Sequence, residues 1–323
     1  MNRPVLLLVF NRPDHTSELV RRVITSGSRD VYVVADGPRP GTEDSAKCQE
    51  VREIVENSSW NGHLKVLFRD KNLGCKRSVS DGITWFLEQA GEGVILEDDC
   101  IPSPSFFSFC DVMLDRYRSD ASVGMVAGTH YKPASLQGEE KIFFSRYGLC
   151  WGWATWQRAW SHFDGAMLDW PHLRSTPWLA EVVNGHRDAE FFWRSAFDEC
   201  YFRNLDSWAW PWMYSLWHNE LKTLHSNRNL VLNVGFSDEA THTKAPVASY
   251  RAAALQEINV DLLKTPCPDI CQKEDRWMDI HHFGTRRTWN PVRRKLVLPM
   301  RSFLRRNLPE RLIRTLRSRQ RQP

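Results

Sequence analysis

Long apolar runs are scarce in this chain of 323 residues, and none approaches the roughly 20 apolar residues that a membrane-spanning helix needs. The first apolar run, residues 5–10, is shorter than the core of a signal peptide, which has about 7–15 residues. Glycine and proline, at 17 residues each, are too few for a collagen-like or linker-like chain. With 42% apolar and 25% charged residues, we expect a globular protein without a secretion signal.

Two glycine-rich phosphate-binding motifs are also missing, because the sequence contains neither a Walker A motif nor Gly-x-Gly-x-x-Gly. A bound diphosphate would therefore have to be neutralised by a metal ion and basic side chains. The eight cysteines are scattered through the chain, which favours a reduced, cytoplasmic protein over a disulfide-bonded one.

Strand-like and helix-like segments alternate in the first half of the chain. An apolar run predicts a buried strand at residues 5–10, further strands are predicted at residues 31–35, 64–68, 94–96 and 123–127, and amphipathic segments between them predict helices. Repeated β-α-β spacing predicts an α/β fold with a mostly parallel sheet flanked by helices. Ligands bind such sheets at the carboxyl ends of the strands, which makes candidates of the polar residues there: Asn11, Arg12, Asp36 and residues 97–99.

Three consecutive acids, Glu97, Asp98 and Asp99, follow the predicted strand at residues 94–96. At a strand end inside a crevice they would repel one another and need a cation, and a hard divalent ion is held by one or two carboxylates plus substrate phosphates. An acidic turn that caps the next helix is an equally good interpretation. A second candidate, the segment from Asn72 to Arg77, opens a helix, so Arg77 and the backbone amides could hold an anion or could lie in an exposed loop.

Four motifs together resemble a GT-A fold glycosyltransferase: Phe10-Asn11-Arg12-Pro13, Asp36-Gly37, Asn72-Leu73-Gly74 and Leu96-Glu97-Asp98-Asp99. The acidic triplet, followed by an apolar helix with Phe106-Phe107, is similar to the N-acetylglucosaminyltransferase I family and to related bacterial sugar-nucleotide transferases. The resemblance covers roughly residues 5–245. It implies a nucleotide-sugar-binding half over residues 1–130 and an acceptor-side, tryptophan-rich half over residues 131–283 of one catalytic domain.

The resemblance implies a role for each matching position. Asp99 would ligate Mn²⁺ or Mg²⁺, Asp98 would lie near the ribose, and Glu97 would face the donor sugar. A late His242, which follows the predicted strand at residues 230–232, would complete the metal or diphosphate site. The base and ribose of the nucleotide would be held by positions matching Phe10, Asn11, Arg12 and Asp36, with Asn72 and Arg77 nearby.

The second half supplies a candidate general base, Asp206, in the segment Asp206-Ser207-Trp208. A base must reach the acceptor hydroxyl, and an acid among aromatic side chains suits that task near neutral pH. The alternative is a helix-capping aspartate beside core tryptophans, and three other acids compete for the role: Asp164, Asp198 and Glu199. Of the clustered tryptophans we expect most to lie in the core and one, Trp153, to line the sugar site.

These features predict an inverting glycosyltransferase that moves a sugar from a nucleotide-diphosphate-sugar to a hydroxyl of a glycan or lipid-linked acceptor. UDP-N-acetylglucosamine as donor follows from the resemblance alone. The alternatives are a nucleotidyltransferase of similar fold, which would want a glycine-rich basic loop after the first strand, and a non-catalytic glycan- or nucleic-acid-binding module.

A basic tail ends the sequence. Residues 284–323 contain 13 Lys or Arg and one acid, Glu310, interleaved with apolar residues near helical spacing. Such a segment is typical of a helix that lies in an anionic membrane interface. We therefore predict a cytoplasmic protein attached peripherally to the inner membrane face. Nucleic acid is not expected as a partner, because the basic run lacks an aromatic stacking platform. Packing of the tail on the body is the alternative.

Overall fold

Parallel strands form the first part of the sheet in the computed structural model, which describes residues 2–235 and 254–285. Strands β1 (Val5–Val9) and β2 (Val31–Ala35) read VLLLV and VYVVA and are buried at every position, as expected for strands covered by helices on both faces. Their spatial order is β3-β2-β1-β4, all parallel. The elements of this part are β1 (Val5–Val9), α1 (Pro13–Thr25), β2 (Val31–Ala35), α2 (Asp44–Asn57), β3 (Leu64–Phe68), α3 (Cys75–Ala90) and β4 (Glu92–Glu97).

The sheet continues past β4 with strands of mixed direction, in the order β4-β8-β6-β9-β7. Strand β8 is antiparallel to both β4 and β6, and β6 is parallel to β9. A separate antiparallel pair joins β5 to β10. These elements are β5 (Cys100–Pro102), α4 (Pro104–Arg116), β6 (Val123–Ala127), β7 (Ile142–Ser145), β8 (Trp153–Trp156), β9 (Lys222–Ser226) and β10 (Val231–Asn233).

The predicted α/β class is confirmed, and the sheet of eight strands is mostly parallel but mixed. It draws β1–β4 and β6 from residues 1–130 and β7–β9 from residues 131–283, so the two halves share one sheet. Among the described residues, no helix combines the length and the apolar character needed to cross a bilayer.

Aromatic side chains fill the helical layer of the second half. Trp153 on β8 is 1% exposed, and its ring stacks on that of Trp208 with 5.6 Å between centroids. Trp212 and Trp193 are equally buried, so the expectation that most of the tryptophans lie in the core is confirmed. The helices here are α5 (Gln157–Trp160), α6 (Trp170–Leu173), α7 (Trp178–Val182), α8 (Arg187–Arg203) and α9 (Ala209–His218).

A last described helix, α10 (Gln272–His281), is fastened to the sheet by buried ion pairs. Arg146 Nε lies 2.7 Å from Asp275 Oδ2, with both side chains at most 5% exposed. Lys132 Nζ lies 3.0 Å from Glu274 Oε2 in a similarly enclosed place. Removing one partner of such a pair leaves an uncompensated buried charge, which makes α10 an integral part of the body.

Candidate functional site

A cavity of about 630 Å³ opens at the carboxyl ends of β1, β2 and β4. The chain runs outward from β1 to β2 and β3, then returns to the other side of β1 with β4, and Leu8 pairs with Glu97 in register. Turns leaving β1 and β4 therefore diverge, which creates the crevice where open α/β sheets bind ligands. The predicted site residues that line this cavity are Phe10, Asn11, Arg12, Asp36, Asn72, Glu97, Asp98 and Asp206.

Arg12 joins two acids of the triplet. Its Nη1 donates to Asp98 Oδ1 at 3.0 Å and to Asp99 Oδ2 at 2.8 Å. All three side chains are largely buried, between 8% and 18% exposed. Arg12 directly precedes α1, whose first residue is Pro13, so the helix start fixes where the guanidinium stem leaves the backbone. The arginine thus supplies positive charge in the place where the sequence predicts a need for it.

Burial and mutual repulsion change the protonation of the acids. Burial, together with the neighbouring carboxylates of Asp99 and Asp98, raises the pKa of Glu97 to about 8. Burial likewise raises the pKa of Asp98 to about 7, although Arg12 opposes that shift. Glu97 also accepts a hydrogen bond from the side chain of Trp208. At neutral pH the cavity therefore contains a protonated carboxyl group that can donate a hydrogen bond to a ligand.

Asp36 holds the loop that follows β3 against the end of β2. Its carboxylate accepts the backbone N–H of Leu73 at 3.0 Å, that of Gly37 at 2.9 Å, and the side-chain amide of Asn72 at 3.1 Å. Position 37 has to be glycine, because a Cβ there would lie 2.5 Å from the backbone of Lys71. Burial raises the pKa of Asp36, and the bonds from Leu73 and Gly37 oppose that rise. With three donors already bound, Asp36 first of all shapes the cavity.

Three charged residues of the cavity, Arg39, Asp44 and Lys47, were missed in the sequence. Arg39 Nε lies 2.6 Å from Asp44 Oδ2, and Asn11 Nδ2 donates to Asp44 Oδ1 at 2.7 Å. The Arg39 guanidinium holds the pKa of Asp44 well below its usual range. The guanidinium also lies over the Phe10 ring, 5.4 Å from its centroid. Their place just after β2, at a carboxyl end of the sheet, was the signal that could have identified them.

Asp206 lies at the mouth of the cavity and caps α3. Its two carboxylate oxygens accept the backbone N–H groups of Cys75 at 3.0 Å and Lys76 at 2.8 Å. The interpretation of this aspartate as a helix cap is therefore confirmed, because it binds the first backbone N–H groups of α3. A carboxylate has about four lone-pair positions, so two of them stay available for a ligand or an acceptor hydroxyl. Gly74, which precedes the helix, has φ +82° and leaves room for this contact.

The competing acids are engaged elsewhere and do not line the cavity. Asp164 accepts backbone N–H groups within its own turn. Asp198 pairs with Arg174, and Glu199 with Arg203. Of the acids considered as a base, Asp206 is the one that lines this cavity.

Three predicted site residues that the structure describes, Arg77, Trp153 and Asp99, are not among the residues that line the cavity. Arg77 is 72% exposed on α3 and forms an ion pair with Asp81 at 3.4 Å. Trp153 belongs to the core, because β8 is a central strand covered on both faces, so its expected role in the sugar site is wrong for the described geometry. His242 lies outside the described residues.

A divalent metal does not fit Asp99 as it is arranged. Oδ2 accepts from Arg12 at 2.8 Å, Oδ1 accepts from Asn233 at 3.0 Å, and a Cβ at Gly235 would lie 2.1 Å from Oδ2. An ion at this carboxylate would lie directly beside the guanidinium of Arg12, which carries a like charge. Within residues 2–235 and 254–285, no group of three or more His, Cys, Asp or Glu side chains is arranged to hold an ion.

Comparison of the chain with protein-family models finds no matching family, and comparison with curated proteins finds no match. The argument for a function therefore depends on the cavity and its residues.

Proposed function

We propose that this chain is an inverting glycosyltransferase of GT-A type that transfers a sugar from a nucleotide-diphosphate-sugar to a hydroxyl of a glycan or lipid-linked acceptor. The observation that supports this proposal is the cavity at the switch point of the sheet. It combines an aromatic face, amide groups, protonatable carboxyls and a buried arginine. Each of these groups can bind one part of such a donor: the aromatic face the base, the amides the ribose, the carboxyls the sugar and the arginine the diphosphate.

Phe10 and Arg39 are the residues proposed to bind the nucleotide base. The ring and the guanidinium that covers it form flat surfaces, and bases stack on both kinds of surface. Asn11 and Asn72 lie beside them and offer amide groups to the ribose and base. Asp36 contributes indirectly, because its carboxylate holds the loop of Asn72 in place.

Glu97 and Asp98 are proposed to contact the sugar and ribose hydroxyls. A protonated Glu97 donates a hydrogen bond to a sugar oxygen, which an ionised carboxylate could not do. The diphosphate would lie toward Arg12, whose charge favours the developing anion of the leaving group. Mn²⁺ or Mg²⁺ at Asp99 stays a prediction of the resemblance, and no step proposed for this site is routed through it.

Asp206 is the proposed general base. The acceptor hydroxyl gives its proton to the carboxylate while its oxygen forms a bond to the anomeric carbon. The bond from that carbon to the diphosphate oxygen breaks in the same displacement, the nucleoside diphosphate leaves with the electron pair, and the anomeric configuration inverts. Bonds from Cys75 and Lys76 hold the carboxylate in one orientation, which is what a base at a fixed reaction centre requires.

A screen of nucleotide-sugars for donor hydrolysis tests the proposal, because slow hydrolysis needs no known acceptor. We expect at least one UDP-sugar to release UDP. Once an acceptor is found, Asp206→Asn should lower transfer by about 10²–10⁴ with donor binding retained, since the amide cannot accept the proton. Glu199→Gln, a half-exposed acid paired with Arg203, is the matched control and should leave transfer unchanged.

Three outcomes would contradict the proposal. Full transfer by a folded Asp206→Asn variant would assign the base to another group. Release of inorganic pyrophosphate from a nucleoside triphosphate and a sugar phosphate would indicate a nucleotidyltransferase. Binding of glycans without turnover of any nucleotide-sugar would indicate a binding module.

The basic tail, residues 284–323, is proposed to attach this enzyme to the anionic inner face of a membrane. Each Lys or Arg near such a surface contributes on the order of 1 kcal/mol. Attachment would bring the cavity to lipid-linked acceptors. Of this segment only Gly284 and Thr285 lie within the described residues.

A further inference from the structure

The acidic triplet already has a counter-charge built into the protein. One nitrogen of Arg12, Nη1, donates to Asp98 and Asp99 together. In the described residues, Nε and Nη2 of the same guanidinium hold no hydrogen bond. Arg12 also lines both the main cavity and a neighbouring pocket of about 380 Å³ next to α1. The arginine is therefore fixed on one side by acids and faces ligand space on the other.

Asp99 is enclosed from the opposite side by the end of β10. Asn233 Nδ2 donates to Asp99 Oδ1 at 3.0 Å, and the backbone N–H of Val234 donates to the Asp99 carbonyl at 2.9 Å. Gly235 approaches so closely that any side chain there would collide with the Asp99 carboxylate. Arg12 and this segment thus occupy one position on each oxygen of the Asp99 carboxylate, and Arg12 already supplies the positive charge there.

We propose that Arg12, and not a divalent metal, is the cation that binds the diphosphate of the nucleotide ligand. This inference rests on the proposed function, since it assigns the diphosphate subsite of the same cavity. A guanidinium presents several N–H donors in a planar fork that suits phosphate oxygens, and it stays charged at every working pH. Asp98 and Asp99 then act as positioning residues that hold the fork toward the cavity.

Calorimetric titration of the full chain with UDP, and separately with inorganic pyrophosphate, tests the assignment. Each titration is done with EDTA and again with Mn²⁺. We expect the wild-type Kd to agree within about 3-fold between the two conditions. Arg12→Gln should weaken binding in EDTA by about 10-fold or more, as loss of a hydrogen bond to a charged group implies. Arg21→Gln, an exposed arginine paired with Glu18 on the same helix, is the control and should bind as wild type does.

Arg12→Gln leaves two buried acids without their cation and could fail to fold, so two further variants are needed. Arg12→Lys keeps the charge and should retain part of the metal-free affinity. The double variant Arg12→Gln, Asp99→Asn removes the positive and the negative charge of one ion pair and should therefore fold. In EDTA it should bind UDP as weakly as Arg12→Gln alone. Circular dichroism checks the fold of each.

Two results would overturn the inference: wild-type binding that appears only when Mn²⁺ is present, or undiminished binding in EDTA by a folded variant that lacks Arg12. Its failure is distinguishable from failure of the proposed function. Metal-free binding of UDP without hydrolysis or transfer of any nucleotide-sugar would refute the function and leave Arg12 as the diphosphate cation. Transfer of a sugar that requires Mn²⁺ would support the proposed function and refute Arg12 as the diphosphate cation.

Discussion

Replacement of Glu97 by glutamine should remove a large part of the pH dependence of stability. The folded chain raises the pKa of this carboxyl from 4.5 to about 8, chiefly by burying it and also by placing Asp99 and Asp98 beside it. Between those pH values the folded state binds more protons than the unfolded state, so stability falls as pH rises. Integrated over the interval, the loss is up to about 5 kcal/mol, a large share of a typical domain's stability.

Glutamine keeps the size of the side chain and cannot ionise. The stability of Glu97→Gln relative to wild type should therefore rise by roughly 3 kcal/mol from pH 5.5 to pH 8.5. Urea titrations at several pH values measure this directly. Burial also raises the pKa of Asp98, to about 7. The stability of both wild type and variant should therefore still fall with pH because of Asp98, but less steeply in the variant.

Glu88→Gln, on an exposed position of α3, is the matched control and should follow the wild-type profile at every pH. Parallel stability profiles for wild type and Glu97→Gln between pH 5.5 and 8.5 would refute the reasoning. So would a variant that is destabilised equally at both ends of this range.

Three further predictions concern the body and the tail. Trp153→Ala should lower the free energy of unfolding by about 3–5 kcal/mol in a denaturant titration, because it empties a core site beside Trp208, and a loss under 1 kcal/mol would contradict that placement. Arg146→Met should cost about 3–5 kcal/mol by leaving Asp275 unpaired, and adding Asp275→Leu should recover most of the loss; no recovery would contradict the ion-pair explanation. Removal of residues 286–323 should abolish co-sedimentation with anionic liposomes at low salt and spare donor hydrolysis, whereas equal sedimentation of both forms would exclude the tail as an anchor.

The hydrophobic pattern of the sequence was sufficient to predict the strands whose ends form the cavity. The predicted strands at residues 31–35 and 64–68 have the bounds of β2 and β3, and the first strand ends at Val9, one residue earlier than predicted. These strands are short, mostly apolar segments between clear helix patterns, so length and flanking residues identify them. A strand predicted at residues 230–232 corresponds to β10, but β5 and its pairing with β10 were not predicted, because β5 has only three residues and shows no period.

Partners within the site were harder to predict than its location. The position of Arg12 after β1 marked it as a candidate, but its bonds to Asp98 and Asp99 span 86 and 87 residues of sequence. The contact of Asn11 with Asp44 likewise depends on where α2 begins relative to β1. Sequence position indicates which residues reach the sheet edge, whereas the pairing of charges there is decided by packing that no local pattern encodes.

Formation of the cavity is coupled to folding of the second half of the chain. Asp206 reaches α3 across 131 residues of sequence, and Asn233 reaches Asp99 across 134. Strand β8 lies between β4 and β6, so the strand that ends at the acidic triplet is itself paired with the tryptophan-rich half. A ligand that binds the cavity selects the state in which all these contacts exist, and so stabilises the whole sheet rather than the nucleotide half alone. Protection by UDP should therefore appear as a shift of one cooperative transition, because the strands that end at the cavity and those of the second half belong to one sheet.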